Sequence, residues 1–215
     1  MEPFDAVWDE IYRTGKSGTK PLLREPSSFA LSVTKLLKSG HKLLEFGCGN
    51  GRDAAYFHEV LHLEVNGTDI SHTAIEQCRK ACPGAEFAVQ SFAELPTPYR
   101  NTLYDVIYSR FTLHSVSEAK ASQALRWAYN NLHAGGMLLI EVRSTLDTMC
   151  GIGEPVEGER NAWINHHYRR FVVREELLKE LQTLGFEITF EQEDRNLSPH
   201  GDDNPVLIRV HARRN

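Results

Sequence analysis

The chain has 215 residues, of which 41% are hydrophobic, and its formal net charge is −5. This length and composition predict one domain, 1–215, with a sizeable core, and the acidic balance predicts no bulk attraction to nucleic acid or membranes. No apolar run approaches the roughly 20 residues that span a bilayer, and the acidic N-terminus is unlike a secretory signal. We therefore expect a cytoplasmic protein whose four cysteines are reduced thiols without metal-type spacing.

Two helices are predicted ahead of the first strand. The apolar residues of the first recur at helical spacing: Phe4, Val7, Trp8, Ile11 and Tyr12. The second begins at Pro26 and Ser27 and ends before Gly40. From periodicity alone, the first helix caps the sheet.

A glycine loop follows the first predicted strand. The segment Lys42 to Asp53 reads KLLEFGCGNGRD, an apolar strand that leads through alternating glycines into a helix over 52–61. A dinucleotide site requires GxGxxG, with a third glycine where helix and strand pack closely. Here the third glycine comes one position earlier and Arg52 follows it, so the spacing disfavours a bound pyrophosphate.

The GxGxG spacing, with an acid two positions ahead of it, resembles the first motif of the class I S-adenosylmethionine-dependent methyltransferases. The matching residues are Glu45, Gly47, Gly49 and Gly51. The resemblance implies S-adenosyl-L-methionine as cofactor and S-adenosyl-L-homocysteine as product, with the loop under the methionine part of the cofactor. It also implies cofactor contacts for three further residues: Cys48, Asp53 and Ile70.

The resemblance offers a second interpretation of the N-terminal helix. Trp8, Asp9 and Tyr12 are similar to a WDxxY-like segment that folds over the cofactor in many small-molecule methyltransferases. On this interpretation residues 1–26 form a lid helix and linker, and Trp8 and Tyr12 contact the substrate.

The next two strands supply further cofactor residues. Asp69 ends the strand LEVNGTD about 20 residues past the loop, where doubly wound folds place an acid that accepts hydrogen bonds from ribose hydroxyls. Its alternative role is to help cap the helix that begins after Ser71. The third strand ends near Gln90, and the resemblance places adenine beside Ser91 and Phe92, although the family often has Asp in place of Ser91.

The fourth strand begins with YDVI at 104–107 and leads to Arg110 and His114, four residues apart. Functional groups gather beyond the carboxyl ends of strands in this fold, so we predict Arg110 at the cofactor and in catalysis, and His114 as a base or as a group that orients the acceptor. A structural histidine is the alternative. The NPPY or DPPY sequence of the family's DNA and protein-amide methyltransferases is absent here, which argues against methylation of nucleobase amines.

A long helix from Ser117 to about His133 and a strand over 137–144 come next, and Glu141 and Arg143 should face the cleft or pair with each other. Residues 144–172 break the strand–helix pattern, and we interpret them as a substrate cover. Together with Arg110 and Arg143, its polar residues would surround an anionic substrate: His166, His167, Tyr168, Arg169 and Arg170. The alternative is surface salt bridging to Glu154, Glu157 and Glu159.

A helix over 174–184 and two strands end the chain. Such a terminal hairpin resembles that of the class I methyltransferases, in which the last strand inserts antiparallel between the fifth and sixth. The predicted fold is therefore α/β, a Rossmann-like doubly wound sheet of seven strands with the last strand antiparallel and helices on both faces.

The favoured function is methyl transfer to an oxygen of a small anionic acceptor, such as a phosphate, carboxylate or sugar derivative, with no metal, nucleic acid or membrane partner. The alternatives are S-methylation of a thiol, selenol or metalloid, RNA or protein methylation, a module that binds the cofactor without catalysis, and a dinucleotide oxidoreductase. The acceptor and the oligomeric state stay open.

Overall fold

The computed structural model describes residues 5–17, 20–21, 24–94 and 102–215. Within these ranges the α-helices are α1 (Asp5–Thr14), α2 (Ser28–Val33), α3 (Arg52–Ala55), α4 (His72–Ala81), α5 (Glu118–Asn131) and α6 (Arg174–Leu184). The strands are β1 (Lys16–Ser17), β2 (Lys20–Pro21), β3 (Lys42–Phe46), β4 (Glu64–Asp69), β5 (Glu86–Val89), β6 (Tyr104–Arg110), β7 (Leu132–Arg143), β8 (Glu154–Pro155), β9 (Ala162–Asn165), β10 (His167–Arg170), β11 (Phe186–Asp194) and β12 (Leu207–Arg214). A π-helical turn, Tyr56–Val60, continues α3.

Seven strands form one sheet in the order β11-β12-β7-β6-β3-β4-β5. The pairs β3–β4, β4–β5 and β6–β7 are parallel, whereas β12 runs antiparallel to both β7 and β11. Helix α4 packs on β4 and β5, α5 on β7, and α6 on β11. The predicted fold class is confirmed, including the last strand inserted antiparallel between the fifth and sixth strands of the sheet.

The chain divides into two compact units, Met1–Phe92 and Ala93–Asn215, and the prediction of a single domain remains a prediction. In the first unit, Leu43 and Leu44 of β3 are fully buried, as expected for a strand covered on both faces. Ser27 caps α2, because its hydroxyl accepts a hydrogen bond from the Ala30 N–H at 3.0 Å. Phe4 lies outside the described residues.

In the second unit, the predicted helix over 174–184 is α6, and it ends at Gly185 in the left-handed conformation with φ 104°. Residues 144–172, predicted to cover the substrate, contain a three-stranded antiparallel sheet in the order β10-β9-β8. His166, with φ 65°, turns the chain between β9 and β10. The role of this segment as a cover remains a prediction.

Candidate cofactor and acceptor sites

The glycine loop lies at the carboxyl end of β3. Gly47, Gly49 and Gly51 have φ angles of 61°, 55° and 77°, a region that side chains of L-residues disfavour, so their alternation is a backbone requirement. The Cys48 N–H donates to the Thr68 carbonyl of β4 at 2.8 Å, which ties the loop to the neighbouring strand. The loop is therefore rigidly placed beside the carboxyl end of β4.

Asp69 at that end of β4 is buried and is held by the main chain. One carboxylate oxygen accepts from the Gly49 N–H and the other from the Ser71 N–H, both at 2.9 Å. Burial raises the pKa of Asp69 to about 6, and these hydrogen bonds only partly offset the rise. Each oxygen keeps a second lone-pair position, so the carboxylate can accept from two vicinal hydroxyls.

Helix α1 packs on α4 and covers the glycine loop. The Asp9 carboxylate accepts from the Ser71 hydroxyl at 2.7 Å and from the Thr73 N–H at 3.0 Å, and these bonds lower the pKa of Asp9. An ideal Cβ placed on Gly49 would lie 2.5 Å from the Tyr12 hydroxyl oxygen, so that hydroxyl rests directly against the loop. Trp8 and Tyr12 stay partly exposed on this helix. Their contact with substrate remains a prediction.

Burial changes the titration of Tyr12. Part of its side chain is exposed, but protein surrounds the hydroxyl end, and the lost hydration together with the charge of Asp69 raises its pKa well above the usual value. Tyr12 is therefore a neutral hydrogen-bonding group at physiological pH.

The remaining predicted cofactor residues differ in their surroundings. Asp53 accepts hydrogen bonds from the Ser27 N–H at 2.6 Å and from the Ser27 hydroxyl at 2.7 Å, which joins the starts of α2 and α3 and supports a structural role. Phe92 stacks on Phe46, with ring centroids 5.6 Å apart. Ser91 and Ile70 are partly exposed.

Two free thiols lie under the loop. The sulfur atoms of Cys48 and Cys78 are 3.9 Å apart, and Cys78 donates to the Gly49 carbonyl at 3.1 Å. The hydrogen bond with the Cys78 thiol, and then burial, raise the pKa of Cys48 well above its usual value. Cys48 therefore packs the loop as a neutral thiol.

These residues fit S-adenosylmethionine. Asp69 has lone pairs for ribose hydroxyls, and Glu45 is a second buried acid at the end of β3 that suits the cofactor's ammonium and sulfonium charges. A phosphate-bearing dinucleotide would bring negative charge to these two acids.

The second unit holds the other predicted acceptor residues, and His114 is one of them. His114 is buried, and its Nδ1 accepts a hydrogen bond from the Arg143 main-chain N–H at 3.3 Å. Burial, and then the positive charges of Arg143 and Arg169, lower the pKa of His114 well below its usual value. The imidazole is therefore neutral with its proton on Nε2, which favours the predicted orienting role and disfavours the base role.

Arg110 belongs to a buried ion cluster. Its Nε lies 2.9 Å from a carboxylate oxygen of Glu141, and the other oxygen of Glu141 lies 2.6 Å from Nη2 of Arg209. The Ser198 hydroxyl also donates to Glu141 at 3.1 Å. The Arg110 guanidinium stacks 4.2 Å from the centroid of the Phe111 ring. This setting makes Arg110 a link between β6, β7 and β12, and its predicted roles at the cofactor and in catalysis stay predictions.

Arg143 does not pair with Glu141. Its guanidinium lies 2.9 Å from Asp147 and 2.6 Å from Asp203, and its side chain is almost fully buried. Two carboxylates thus already satisfy this predicted substrate ligand. These partners of Arg143 and Glu141 were missed in the sequence: Asp203, Ser198 and Arg209 lie 57 to 68 residues from the groups that they bind, whereas Asp147 is only four residues from Arg143 and could have been considered.

Strand β10 separates the remaining predicted ligands, because successive side chains point to opposite faces. On one face, Nη2 of Arg169 lies 2.8 Å from Nε2 of His167. On the other, the Tyr168 hydroxyl donates to Glu159 at 2.5 Å, and Arg170 lines a groove with Glu118 and Glu176. Arg169 and Arg170 therefore lie on opposite faces of β10, and the predicted ring of four arginines remains a prediction.

Within the described ranges, Arg169 carries a charge that no carboxylate meets at ion-pair distance, although Asp203 and Asp147 act on it from farther away. Among the described residues, none of the carboxylates lies within ion-pair distance of Arg169 or Arg170, and Nε of Arg169 is buried without a hydrogen-bond partner. Burial and the charge of Arg143 lower the pKa of Arg169 to about 10, so it remains a cation at neutral pH. The predicted salt bridges to Glu154, Glu157 and Glu159 are not formed by these two arginines.

His167 stays neutral beside Arg169. Burial and the Arg169 charge lower the pKa of His167 to about 4. In the described part of the chain, neither a cluster of metal-binding side chains nor a helix long and apolar enough to cross a membrane is found.

A family model described as "Methyltransferase domain" matches residues 43–136. Phosphoethanolamine N-methyltransferase 1 of Triticum aestivum is 33% identical over 111 residues, which is 50% of this chain and 22% of the relative. The 27-O-demethylrifamycin SV methyltransferase of Amycolatopsis mediterranei is 28% identical over 108 residues, 48% of this chain and 39% of that relative. The chain thus spans about a fifth of the length of the first relative and less than half of the second.

Solved structures share the fold. The Burkholderia thailandensis 1,6-didemethyltoxoflavin-N1-methyltransferase, with its substrate and S-adenosylhomocysteine bound, has a TM-score of 0.72 at 18% identity and covers 99% of this chain and 87% of its own. A TehB-like methyltransferase of Corynebacterium glutamicum has a TM-score of 0.62 at 19% identity and covers 100% and 97%. The predicted class I methyltransferase fold is thus confirmed, and residues 43–136 of this chain match a methyltransferase domain.

Proposed function

We propose that the protein transfers a methyl group from S-adenosylmethionine to an oxygen of a small acceptor that carries an anionic group, such as a phosphate, carboxylate or sugar derivative. The observation that carries this proposal is the half-buried Arg169, whose charge also acts on His114. Among the described residues no carboxylate forms an ion pair with Arg169, and Asp147 and Asp203, which raise its pKa from farther away, are paired with Arg143. A guanidinium in such a setting binds carboxylate or phosphate oxygens strongly.

The cofactor, when bound, supplies a methyl group on a positively charged sulfonium, which is already electrophilic. Asp69 would accept hydrogen bonds from its ribose, and Glu45 and the loop of Gly47, Cys48, Gly49 and Gly51 would hold its methionine part. Ile70, Ser91 and Phe92 would border the adenosine part, and Tyr12 of α1 would close over the loop. The protein's task is then to hold and orient the acceptor.

The charges support an anionic acceptor in spite of the acidic chain. Arg143 is balanced by Asp147 and Asp203, so the anchoring role falls to Arg169. His167 is neutral and accepts from Arg169, which fixes the guanidinium on this face of β10.

N-methylation is the second candidate. Relatives at 33% identity are named phosphoethanolamine N-methyltransferases, and that name combines an amine with a phosphate. A phosphate held by Arg169 would suit such an acceptor as well. The anchoring group and the methylated atom must therefore be tested separately.

The first experiment titrates the protein with S-adenosylmethionine, S-adenosylhomocysteine and NADH in a calorimeter. Binding of the first two without the third is expected, and turnover is then screened with phosphorylated, carboxylated, amine and thiol acceptors. Cofactor affinity without turnover on any acceptor would favour a non-catalytic binding module.

The second experiment compares Arg169→Gln with Arg170→Gln, two adjacent cations on opposite faces of β10. Removing Arg169 should raise KM for the acceptor about 10-fold or more, since a charged hydrogen bond contributes about 1.5–3 kcal/mol. Affinity for S-adenosylhomocysteine should not change. An equal effect of both substitutions on KM would contradict the anchoring role of Arg169.

A further inference from the structure

The imidazole of His114 is held on several sides. The Arg143 N–H donates to Nδ1 at 3.3 Å, and the Phe111 ring lies 5.4 Å from the imidazole, centroid to centroid. The main chain of His114 is tied as well, because its carbonyl accepts from the Arg170 N–H at 2.8 Å. The ring orientation is therefore set by the fold before any acceptor binds.

Arg143 owes its fixed position to both its side chain and its main chain. Asp147 and Asp203 hold the guanidinium, at 2.9 Å and 2.6 Å. The Arg143 carbonyl accepts from the Val172 N–H at 2.9 Å, so the end of β7 is joined to the residue that follows the β10 segment. The Arg143 N–H that donates to Nδ1 of His114 is therefore held in place by hydrogen bonds of both the Arg143 side chain and its carbonyl.

We infer that Arg143 is a positioning residue that fixes His114 as an Nε2–H hydrogen-bond donor, and that His114 and Arg169 select an acceptor whose charged group has two or more oxygens. This inference rests on the proposed function. A carboxylate or a phosphate offers one oxygen to the His114 N–H and the Arg169 guanidinium, and a second oxygen remains free to attack.

The reaction with such an acceptor balances without a proton. A lone pair on the free oxygen forms the new bond to the methyl carbon while the carbon–sulfur bond breaks and its electron pair stays on sulfur. The negative charge of the oxygen and the positive charge of the sulfonium disappear together. Because the product has one negative charge fewer, its contact with Arg169 weakens.

A neutral hydroxyl would need a base to take its proton, and His114 is poorly placed for that. Its Nδ1 already accepts from Arg143, and its Nε2 already carries hydrogen. The charged and titratable groups around it are Arg143 from β7 and His167, Arg169 and Arg170 from β10, with Asp147 and Asp203 paired to Arg143. The cations favour the neutral imidazole.

The tautomer can be measured without any acceptor. Nitrogen NMR of protein labelled in its histidines, with and without S-adenosylhomocysteine, should show a His114 signal with hydrogen on Nε2 and none on Nδ1 from about pH 6 to 9. The signal is assigned by its loss in His114→Gln. Hydrogen on Nδ1, or titration near the ordinary histidine pKa of about 6.5, would overturn the inference.

Two isosteric variants test the donor role. In His114→Gln, an amide N–H reaches toward the former Nε2 position, whereas His114→Asn keeps an oxygen near the former Nδ1 but lacks the reach. Neither amide can act as a base near neutral pH. We expect His114→Gln to retain turnover within about 10-fold of wild type, and His114→Asn and His114→Ala to lose about 10-fold more, the loss of one charge-assisted hydrogen bond. Loss of turnover in the Gln variant equal to that in Ala, with S-adenosylhomocysteine affinity intact, would overturn the donor role.

The acceptor class is tested with matched sets of carboxylic acids, phosphate monoesters and the corresponding neutral alcohols. Methylation of either acid set, with turnover independent of pH between about 6.5 and 9, is expected, and the two sets tell carboxylate from phosphate. Methylation of the alcohols alone would overturn the acceptor class and leave methyl transfer intact.

Failure of the proposed function itself would appear as no turnover on any acceptor, while the tautomer measurement would still decide the role of Arg143. If His114→Gln does not fold, the wild-type tautomer and the acceptor sets decide the question.

Discussion

Under the proposed function, Asp69 would bind the cofactor at a cost in stability to the unliganded protein. Its burial raises its pKa to about 6, above the usual value of 3.8, so the folded state binds a proton that the unfolded state has released. Between about pH 4 and pH 6 the free energy of unfolding contributed by this group therefore falls as pH rises. Above about pH 6 the carboxylate is ionised, which is the form that would accept hydrogen bonds from ribose under the proposed function.

The affinity for S-adenosylhomocysteine should consequently depend on pH through Asp69. We expect binding to weaken as pH falls below about 6, because a protonated carboxyl loses one acceptor position. Asp69→Asn should bind more weakly by roughly 10- to 150-fold at pH 7.5, for a loss of about 1.5–3 kcal/mol, and should lose most of the pH dependence. Calorimetry at pH 5 and pH 7.5 measures both effects. The same pH dependence in wild type and variant would assign the proton to another group.

Residues tied to a local backbone rule could be predicted from sequence, and residues tied to distant partners could not. Gly49 and Gly51 could be predicted as loop residues because the positive φ angles of the loop favour glycine. Arg143 was predicted to face the cleft or to pair with Glu141, and its partner Asp203 could not be foreseen because it lies 60 residues away. The opposite faces of Arg169 and Arg170 follow from the two-residue period of a strand, but only once β10 is known to be a strand.

Among the elements, α1 had the least certain role in the sequence analysis. Its apolar spacing predicts an amphipathic helix, but the spacing does not say which surface the helix covers. The polar residues decide this: Asp9 bonds the first turn of α4, and the Tyr12 hydroxyl meets Gly49. Both α1 and α4 were predicted, whereas the small sheet of β8, β9 and β10 was not, because strands of two to four residues leave no clear pattern.

The contact between α1 and the glycine loop can be measured as a coupling. Gly49→Ala combines a strained φ, which costs roughly 1–2 kcal/mol, with a clash against Tyr12 that costs about 1–3 kcal/mol more. Gly40→Ala is the matched control, because Gly40 also has a positive φ but nothing within 4 Å of an added Cβ. Adding Tyr12→Phe should recover about 1 kcal/mol in the Gly49→Ala background.

Urea unfolding of the single and double variants gives these free energies. Strict additivity of the Gly49 and Tyr12 changes would mean that the Tyr12 hydroxyl does not rest on the loop. Equal destabilisation by Gly40→Ala and Gly49→Ala would also mean that the Tyr12 hydroxyl does not rest on the loop.

At the scale of the whole molecule, the fold class could be predicted because three signals reinforce one another: the glycine loop after β3, the acid at the end of β4 and the terminal hairpin of β11 and β12. Each is weak alone, and together they are typical of one fold. The topology of the sheet does not determine which side chains bind the acceptor, because the same fold occurs in proteins with many different acceptors. This is why the fold could be predicted further than the substrate.

Ligand-linked stability tests the fold and the cofactor site together. We expect S-adenosylhomocysteine to bind only the folded chain, since the loop after β3, Asp69 and α1 come together on folding. At 100 times its Kd it should add about 2.7 kcal/mol of stability, which for a chain of this length corresponds to a rise in Tm of roughly 5–11 °C. NADH should cause no such rise in Tm, and Asp69→Asn should reduce the rise at equal ligand concentration.

The single-domain prediction requires one calorimetric transition that moves as a whole. Two transitions, of which only one shifts with ligand, would show instead that Met1–Phe92 and Ala93–Asn215 unfold independently.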